Sequence, residues 1–309
     1  LHVCFAFTTA WFFAPRYRWL GLLWASAVAW STLAIREHYL ADVAGGLLLT
    51  VVGIRFLRPR DPEALRAELY GLWNLQHFAR RHRRYGLIGL VLYAASLKDW
   101  KGRRPLRLGF AYLQHVDDLL DGHRPCSAEP LDLVDLRGDP NNVDIHVLST
   151  IYAVWQRDLQ RFPEAQAWVQ PLVDCMRRDR LRVLQGAVWS QEQLQEHFRE
   201  TFRLSLNLML CLAGHDLRAE EVPEMVDLLA WCSVFRDLED DLAQGLNNVP
   251  AEVTDPLAWK RSEAIRAGQL ILATQARLDS LKGRSGTSLL QPFLRSAQRI
   301  HSGFKNDQP

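Results

Sequence analysis

Four aspartates occur in this chain as two pairs with the same spacing. Asp117 and Asp121 are four residues apart in one stretch, and Asp237 and Asp241 are four apart in another. On a helix, residues at this spacing share one face, so each pair presents two carboxylates side by side. Such like-charge pairs destabilise a helix by roughly 0.2 to 0.5 kcal/mol each, and a hard cation with oxygen ligands, such as Mg²⁺, offsets the repulsion. The spacing therefore predicts a divalent-metal site, with two ordinary acidic helix faces as the alternative.

The elements that position these pairs are predicted to be helices. From Tyr85 onward the apolar residues recur with helical periodicity, and no alternating strand pattern of useful length occurs. With 48% hydrophobic and 10% aromatic residues the chain can bury a sizeable core, so residues 85–309 are predicted to form one all-α bundle. Turn residues predict breaks between the helices at 102–105, 125–142, Pro163, Pro171, 214–223 and 249–256.

Residues 58–84 are predicted to form a basic, amphipathic linker. Apolar residues recur there at helical spacing, and eight arginines occur between Arg55 and Arg84. Such a strip is typical of a membrane-facing or phosphate-facing surface, with a solvated helix face as the alternative. Basic and aromatic residues do not interleave, so no nucleic-acid partner is expected. The five cysteines contain no C-x-x-C pair, so neither structural zinc nor a disulfide framework is expected.

Residues 1–57 are predicted to form three transmembrane helices. The predominantly apolar runs 1–15, 19–35 and 39–57 are separated by charged breaks, and each approaches the roughly 20 residues that cross a bilayer core. A buried helical hairpin is the alternative. Under the positive-inside rule, Arg16 and Arg18 before the second run and Arg55, Arg58 and Arg60 at the end of the third place the chain after Arg58 in the cytoplasm. We therefore expect a membrane protein, in contact with the lipid bilayer, whose helical domain is cytoplasmic.

A first resemblance lies in this membrane part. Residues 1–3 (LHV), followed by residues 31–42 (STLAIREHYLAD), resemble the last two signature motifs of the type 2 phosphatidic acid phosphatase superfamily. The resemblance implies that His38 is the phosphoryl-accepting nucleophile, that Asp42 orients it, and that His2 is the acid for the leaving group. It covers only the C-terminal part of that fold. The family's upstream Lys/Arg motif does not occur here, so we do not expect this segment to be a competent phosphatase by itself.

A second resemblance covers roughly residues 80–290. Four segments resemble, in order, the squalene/phytoene synthase family, an all-helical class I isoprenoid synthase fold. They are residues 105–122 (PLRLGFAYLQHVDDLLDG), 176–179 (MRRD), 194–214 and 235–252 (FRDLEDDLAQGLNNVPAE).

This second resemblance implies a site and a reaction. The two aspartate pairs would hold Mg²⁺ ions that bridge a prenyl diphosphate such as farnesyl diphosphate, and Arg236 would face the leaving pyrophosphate. A carbocation needs a dry cavity with aromatic walls, although a plain core position is the alternative for each wall residue. The predicted substrate contacts are Tyr112, Asp179, Phe198, Phe202 and Phe235.

Three positions depart from the family pattern. Gln114 and Leu246 stand where members carry Arg, and Ser233 stands where members carry Asn. Fewer cations favour holding one diphosphate, which weakens the case for joining two prenyl diphosphates. The predicted function is a Mg²⁺-dependent, diphosphate-releasing synthase of the squalene/phytoene type. A terpene cyclase acting on one prenyl diphosphate is one alternative, and a membrane lipid phosphatase with a non-catalytic helical domain is another.

Overall fold

The described part of the chain is helical throughout its regular structure. Two compact units divide the chain, residues 1–65 and residues 66–309, and their boundary falls inside the segment predicted to be a linker. Every regular element in the described ranges is a helix, which confirms the all-α prediction. The computed structural model describes residues 21–28, 61–81, 89, 92–94, 96–124, 126, 128–137, 139, 142–243 and 245–306.

The first unit contains all three predicted membrane spans. Residues 21–28 are helical, and the remainder of the three spans lies outside the described residues, as do His2, His38 and Asp42. Among the residues that the structure describes, no helix is both long enough and apolar enough to cross a membrane. The transmembrane helices and the phosphatase-like site therefore stay predictions.

The helices that position the aspartates belong to the second unit. Short 3-10 turns occur at Ser96–Asp99 and Ala219–Glu221. The α-helices are α1 (Pro62–Arg81), α2 (Arg104–Leu120), α3 (Pro130–Val134), α4 (Val143–Leu159), α5 (Pro163–Gln185), α6 (Gln191–Leu212), α7 (Pro223–Ala243), α8 (Pro256–Ser280) and α9 (Thr287–Asn306).

Side-chain caps fix where several helices begin. The Asn142 side chain accepts the free N–H groups at the start of α4, and the Asp255 side chain does the same for α8. Ser190 and Gln193 form a reciprocal capping box at the start of α6. Each cap satisfies N–H groups that have no partner inside the helix, so local sequence sets the residue at which each of these helices begins.

The break predicted at Pro171 is wrong. Helix α5 continues from Pro163 through this proline to Gln185, although an internal proline removes one hydrogen bond and costs about 3 kcal/mol. Buried Val169, Leu172 and Val173 lie on either side of it and pack into the core. Burial of this apolar face offsets the local cost, which a turn signal read from sequence alone does not include.

The order of helix packing sets the distance between the two aspartate-bearing helices. Helix α2 packs against α4 and α5, α5 packs against α6, α6 against α7, and α7 against α8 and α9. Helices α5 and α6 therefore link α2 to α7. The second half of the bundle has a continuous apolar core of residues from α6 to α9, including Leu206, Leu210, Met225, Trp231, Ile271 and Leu294.

Gly109 lets α2 approach α4 closely. A Cβ atom at this position would lie 2.7 Å from the ring of Trp155, which is fully buried. We expect Gly109→Ala to destabilise the protein by about 1 to 3 kcal/mol, since overpacking forces a buried ring to move. Equilibrium unfolding in urea measures the change.

Gly268 provides the matched control for Gly109. It lies inside α8, where a Cβ would meet the His301 ring at an ordinary 3.5 Å. Gly268→Ala is expected to be neutral or to stabilise by up to about 1 kcal/mol, because alanine favours a helix interior. Equal effects of the two substitutions would contradict the close contact between α2 and α4.

Candidate metal and substrate site

Both aspartate pairs lie at the C-terminal ends of their helices. Asp117 is in the last turn of α2, Asp121 directly follows that helix, and Asp241 is in the last turn of α7. Neither last turn contains a basic residue. A helix C-terminus carries about half a negative charge and normally favours cationic side chains. Carboxylates at these two ends add to the negative charge, so a cation bound there would be stabilising.

Asp117 is surrounded by carboxylates from three helices. Burial raises the pKa of Asp117 to about 7, and neighbouring negative charges contribute further. The side chain is still partly exposed, so ions in solution can reach it. The neighbouring charges, in decreasing order of effect, are those of Asp118, Asp179, Asp241 and Asp237.

The same negative charges, together with burial, raise the pKa of Asp121 and Asp241. Burial is the main cause of the raised pKa of Asp121, followed by the charges of Asp117 and Asp179. Burial and the charge of Asp237 raise the pKa of Asp241 to about 7, against the opposing effect of a nearby amide and a nearby guanidinium. The structure thus brings the two pairs, from α2 and α7, into one electrostatic cluster together with Asp179 of α5.

Arg236 pairs with its own neighbour in the chain. Its Nε donates to Oδ1 of Asp237 at 2.7 Å, and its Nη2 donates to the other carboxylate oxygen. Adjacent residues on a helix do not face each other, so the long arginine side chain must curl back to make this pair. The guanidinium therefore neutralises one member of the second pair, a contact that the sequence did not predict.

Asp179 is connected to Asp241 through Arg182 and Asn248, two residues that the sequence analysis did not single out. His197 Nε2 lies 2.8 Å from Asp179 Oδ2, and Arg182 Nη2 lies 3.3 Å from Asp179 Oδ1. Arg182 also donates to the side chain of Asn248, whose Nδ2 donates to Asp241 Oδ2 at 2.8 Å. Neither periodicity nor motif spacing marks Arg182, although Asn248 lies inside the fourth segment of the family resemblance.

An open cleft lies between α6, α7 and α8. Phe198 and Phe235, both predicted substrate contacts, line it. The Phe235 ring stacks on Trp231 with centroids 5.2 Å apart and lies 5.0 Å from the ring of Trp259. Asn248 also lines this cleft while it donates to Asp241. One residue therefore joins the aromatic cleft to the carboxylate cluster.

Two predicted substrate contacts lie elsewhere. Tyr112 is buried against Tyr152 and Trp155 of α4, with ring centroids 5.2 and 5.4 Å away. Phe202 packs against the core shared by α6 to α9. Tyr112 precedes Asp117 by five residues, which is about 140° around a helix. The helical spacing itself therefore indicates that Tyr112 faces away from the carboxylates.

The donor set fits a magnesium ion that is shared with a substrate. Within the part of the chain that the structure describes, no group of three or more His, Cys, Asp or Glu side chains could hold a metal ion by itself. Mg²⁺ is rarely bound by an all-protein cage and is usually held by one or two carboxylates, several waters and substrate phosphates. Carboxylates that repel one another at the ends of two helices supply such a partial set.

No family model, curated protein or solved structure matches the chain. The resemblance to the squalene/phytoene synthases accordingly rests on the four quoted segments, and function has to be argued from the site.

Proposed function

We propose that this protein is a magnesium-dependent class I isoprenoid synthase that ionises a prenyl diphosphate of the farnesyl class, in the manner of squalene/phytoene synthases. The observation that carries the proposal is the carboxylate cluster at the C-terminal ends of α2 and α7, where burial and mutual repulsion raise the pKa of Asp117 and Asp241. A cluster that destabilises the folded chain in this way is typical of a functional site.

The cluster and the cleft match the two ends of a prenyl diphosphate. Asp117, Asp121, Asp237 and Asp241 would hold Mg²⁺, which when bound supplies Lewis-acid stabilisation of a diphosphate leaving group. The apolar chain would lie in the cleft against Phe198, Trp231, Phe235 and Trp259. Asn248 lines the cleft and donates to Asp241, so a polar head beside it would lie next to the carboxylates.

The chain's own residues would assist ionisation in two ways. Arg236 lies beside Asp237, and its planar guanidinium suits the oxygens of a departing diphosphate. The stacked rings of Trp231 and Phe235 present π faces that would stabilise the allylic cation left behind.

The direct test is incubation of the full chain, in detergent, with farnesyl diphosphate and Mg²⁺. We expect release of pyrophosphate that stops when EDTA removes the metal, and an enzyme-coupled assay measures it. Release that continues in EDTA, or no release at all, would contradict the proposal.

A terpene cyclase acting on one substrate molecule is the second candidate. Gln114 and Leu246 are neutral where the related family carries Arg, and the described cleft has one continuous aromatic wall along α7 and α8. The carbon number of the product separates the two reactions. A 15-carbon product from farnesyl diphosphate indicates cyclisation or hydrolysis, and a 30-carbon product indicates condensation.

We propose that the synthase unit is cytoplasmic and tethered to the membrane by residues 1–57, and a lipid phosphatase activity of these residues is the rival function. The same incubation separates this activity, because a phosphatase releases inorganic phosphate rather than pyrophosphate. Phosphate release that is lost in His38→Ala and kept in Asp117→Ala would assign turnover to the membrane part.

A further inference from the structure

Arg182 lies on α5 beneath the carboxylate cluster and is almost completely buried, with 2% of its surface exposed. Its Nη2 donates to Asn248 Oδ1 and lies 3.3 Å from Asp179 Oδ1. The face of the guanidinium lies over the Trp189 ring, with 4.5 Å between Cζ and the ring centroid. Contacts on one edge and one face fix the orientation of this side chain.

The Arg182 contact also fixes the amide of Asn248. Arginine can only donate hydrogen bonds and an ionised carboxylate can only accept them. The Asn248 oxygen must therefore face Arg182, and its Nδ2 must face Asp241, at 2.8 Å. A flipped amide would direct its N–H groups at the Arg182 guanidinium and its oxygen at the Asp241 carboxylate, and both contacts would be repulsive. Through this single amide, Arg182 holds one oxygen of Asp241 in a defined position.

The loop that carries Asn248 is also held against the segment that joins α5 to α6. The N–H of Ala251 donates to the carbonyl of Trp189 at 2.9 Å, and the N–H of Gln191 donates to the Glu252 carboxylate at 3.1 Å. These two contacts anchor the loop directly after Asn248, so the position of Asn248 depends on the α5–α6 segment as well as on Arg182.

Arg182 does not serve stability alone. Its Nε and Nη1 are buried and have no hydrogen-bond partner among the described residues, which leaves three of the five N–H groups of the guanidinium unsatisfied within that part of the chain. Burying such groups destabilises a folded chain, and an apolar side chain of similar volume generally packs at lower cost. A buried cation between Asp179 and Asp241 instead attracts the carboxylates to fixed positions.

We propose, on the basis of the function proposed above, that Arg182 is a positioning residue that fixes Asp241 through Asn248 and thereby sets the affinity of the second aspartate pair for a divalent cation. Groups that orient a metal-binding side chain without touching the metal typically change metal affinity by about 10-fold to 100-fold when they are removed.

The test measures binding of Mn²⁺ alone to the full chain in detergent, from the electron paramagnetic resonance signal of the free ion. We expect Arg182→Gln and Asn248→Ala each to weaken binding by about 10-fold to 100-fold. The double variant should be no weaker than the weaker single variant, because both substitutions break one connection. Arg182→Lys keeps the charge but loses the planar contacts, so its Mn²⁺ affinity should lie between those of Arg182→Gln and the parent chain.

Arg178→Gln is the matched control, because Arg178 lies one turn earlier on α5 and pairs with Glu200 at the surface. It should leave Mn²⁺ affinity unchanged. If Arg182→Gln fails to fold, Asn248→Ala decides, since it removes the same connection while Arg182 keeps its contacts with Asp179 and Trp189. Affinity within about two-fold of the parent chain in Asn248→Ala, or effects that multiply in the double variant, would overturn the inference.

The measurement separates this inference from the proposed function. A parent chain that binds Mn²⁺ but releases no pyrophosphate contradicts the proposed synthase activity, and the effect of Arg182 on Mn²⁺ affinity can still be measured. A parent chain that binds no Mn²⁺ overturns the positioning role, whatever its activity.

Discussion

Asp117→Asn and Asp241→Asn are each expected to reduce Mg²⁺-dependent pyrophosphate release by about a thousand-fold. Metal stabilisation of a leaving group contributes several kcal/mol, and each 1.36 kcal/mol corresponds to a factor of ten in rate. Asparagine keeps the size of the side chain but removes the charge that the metal requires. Steady-state assays with farnesyl diphosphate, at several Mg²⁺ concentrations, measure the loss.

The same two substitutions are expected to raise the Tm of the metal-free protein by about 2 to 4 °C, which corresponds to roughly 1 kcal/mol for a domain of this size. Burial and neighbouring charges raise the pKa of both Asp117 and Asp241 to about 7. Their ionised forms therefore destabilise the fold, and a neutral amide relieves that strain. Lower activity combined with higher stability is the expected trade-off at a functional site.

Asp279→Asn is the control, since Asp279 lies exposed near the end of α8 and contacts only Gln275 among the hydrogen bonds of its side chain. It should change neither activity nor Tm. A cluster variant that retains full pyrophosphate release, or a control that loses it, would contradict the assignment of the metal site.

Glu68→Ala is expected to destabilise the protein by about 3 to 5 kcal/mol, because it leaves a buried cation without its partner. Arg107 is completely buried, and Glu68 is 6% exposed. The Arg107 Nε donates to Glu68 at 3.2 Å, its Nη2 donates to the carbonyl of Trp100 at 2.7 Å, and the Trp100 ring lies 3.7 Å from its Cζ. A fall in Tm of about 10 °C is expected.

Two further variants test the cause of this loss. Glu164→Ala removes an acidic partner of Arg218 whose side chain is 62% exposed, and it should cost at most about 1 kcal/mol. Replacing Glu68 and Arg107 together by Met should restore most of the stability, because no unpaired charge is left in the core. A cost for Glu68→Ala no larger than that for Glu164→Ala would show that the pair is unimportant.

Sequence patterns were sufficient for the helical class and for the neighbourhood of the aspartates, because periodicity and spacing are local properties. Pro171 shows the limit of local signals, since burial of the α5 face outweighs the proline. The pair between Arg236 and Asp237 shows another limit, because adjacent residues on a helix are not expected to pair.

Residues that act across the fold are harder to predict from sequence. Arg182 and Asn248 are 66 residues apart, and nothing in their spacing indicates that they meet. Tyr112 was expected at the substrate because it shares α2 with Asp117, but helical geometry turns it toward α4. Spacing along one helix thus indicates which side chains share a face, whereas contacts between distant segments leave no such signal in the sequence.

The position of Asn248 bears on how the proposed activity could be re-engineered. Phe198 and Trp259 line the cleft, so changes there should alter the accepted chain length without changing the proposed metal site. Asn248 belongs to both regions, and a change there should alter selectivity and turnover together. Pocket libraries for new products should therefore vary the α6 and α8 walls and keep the loop after α7 constant.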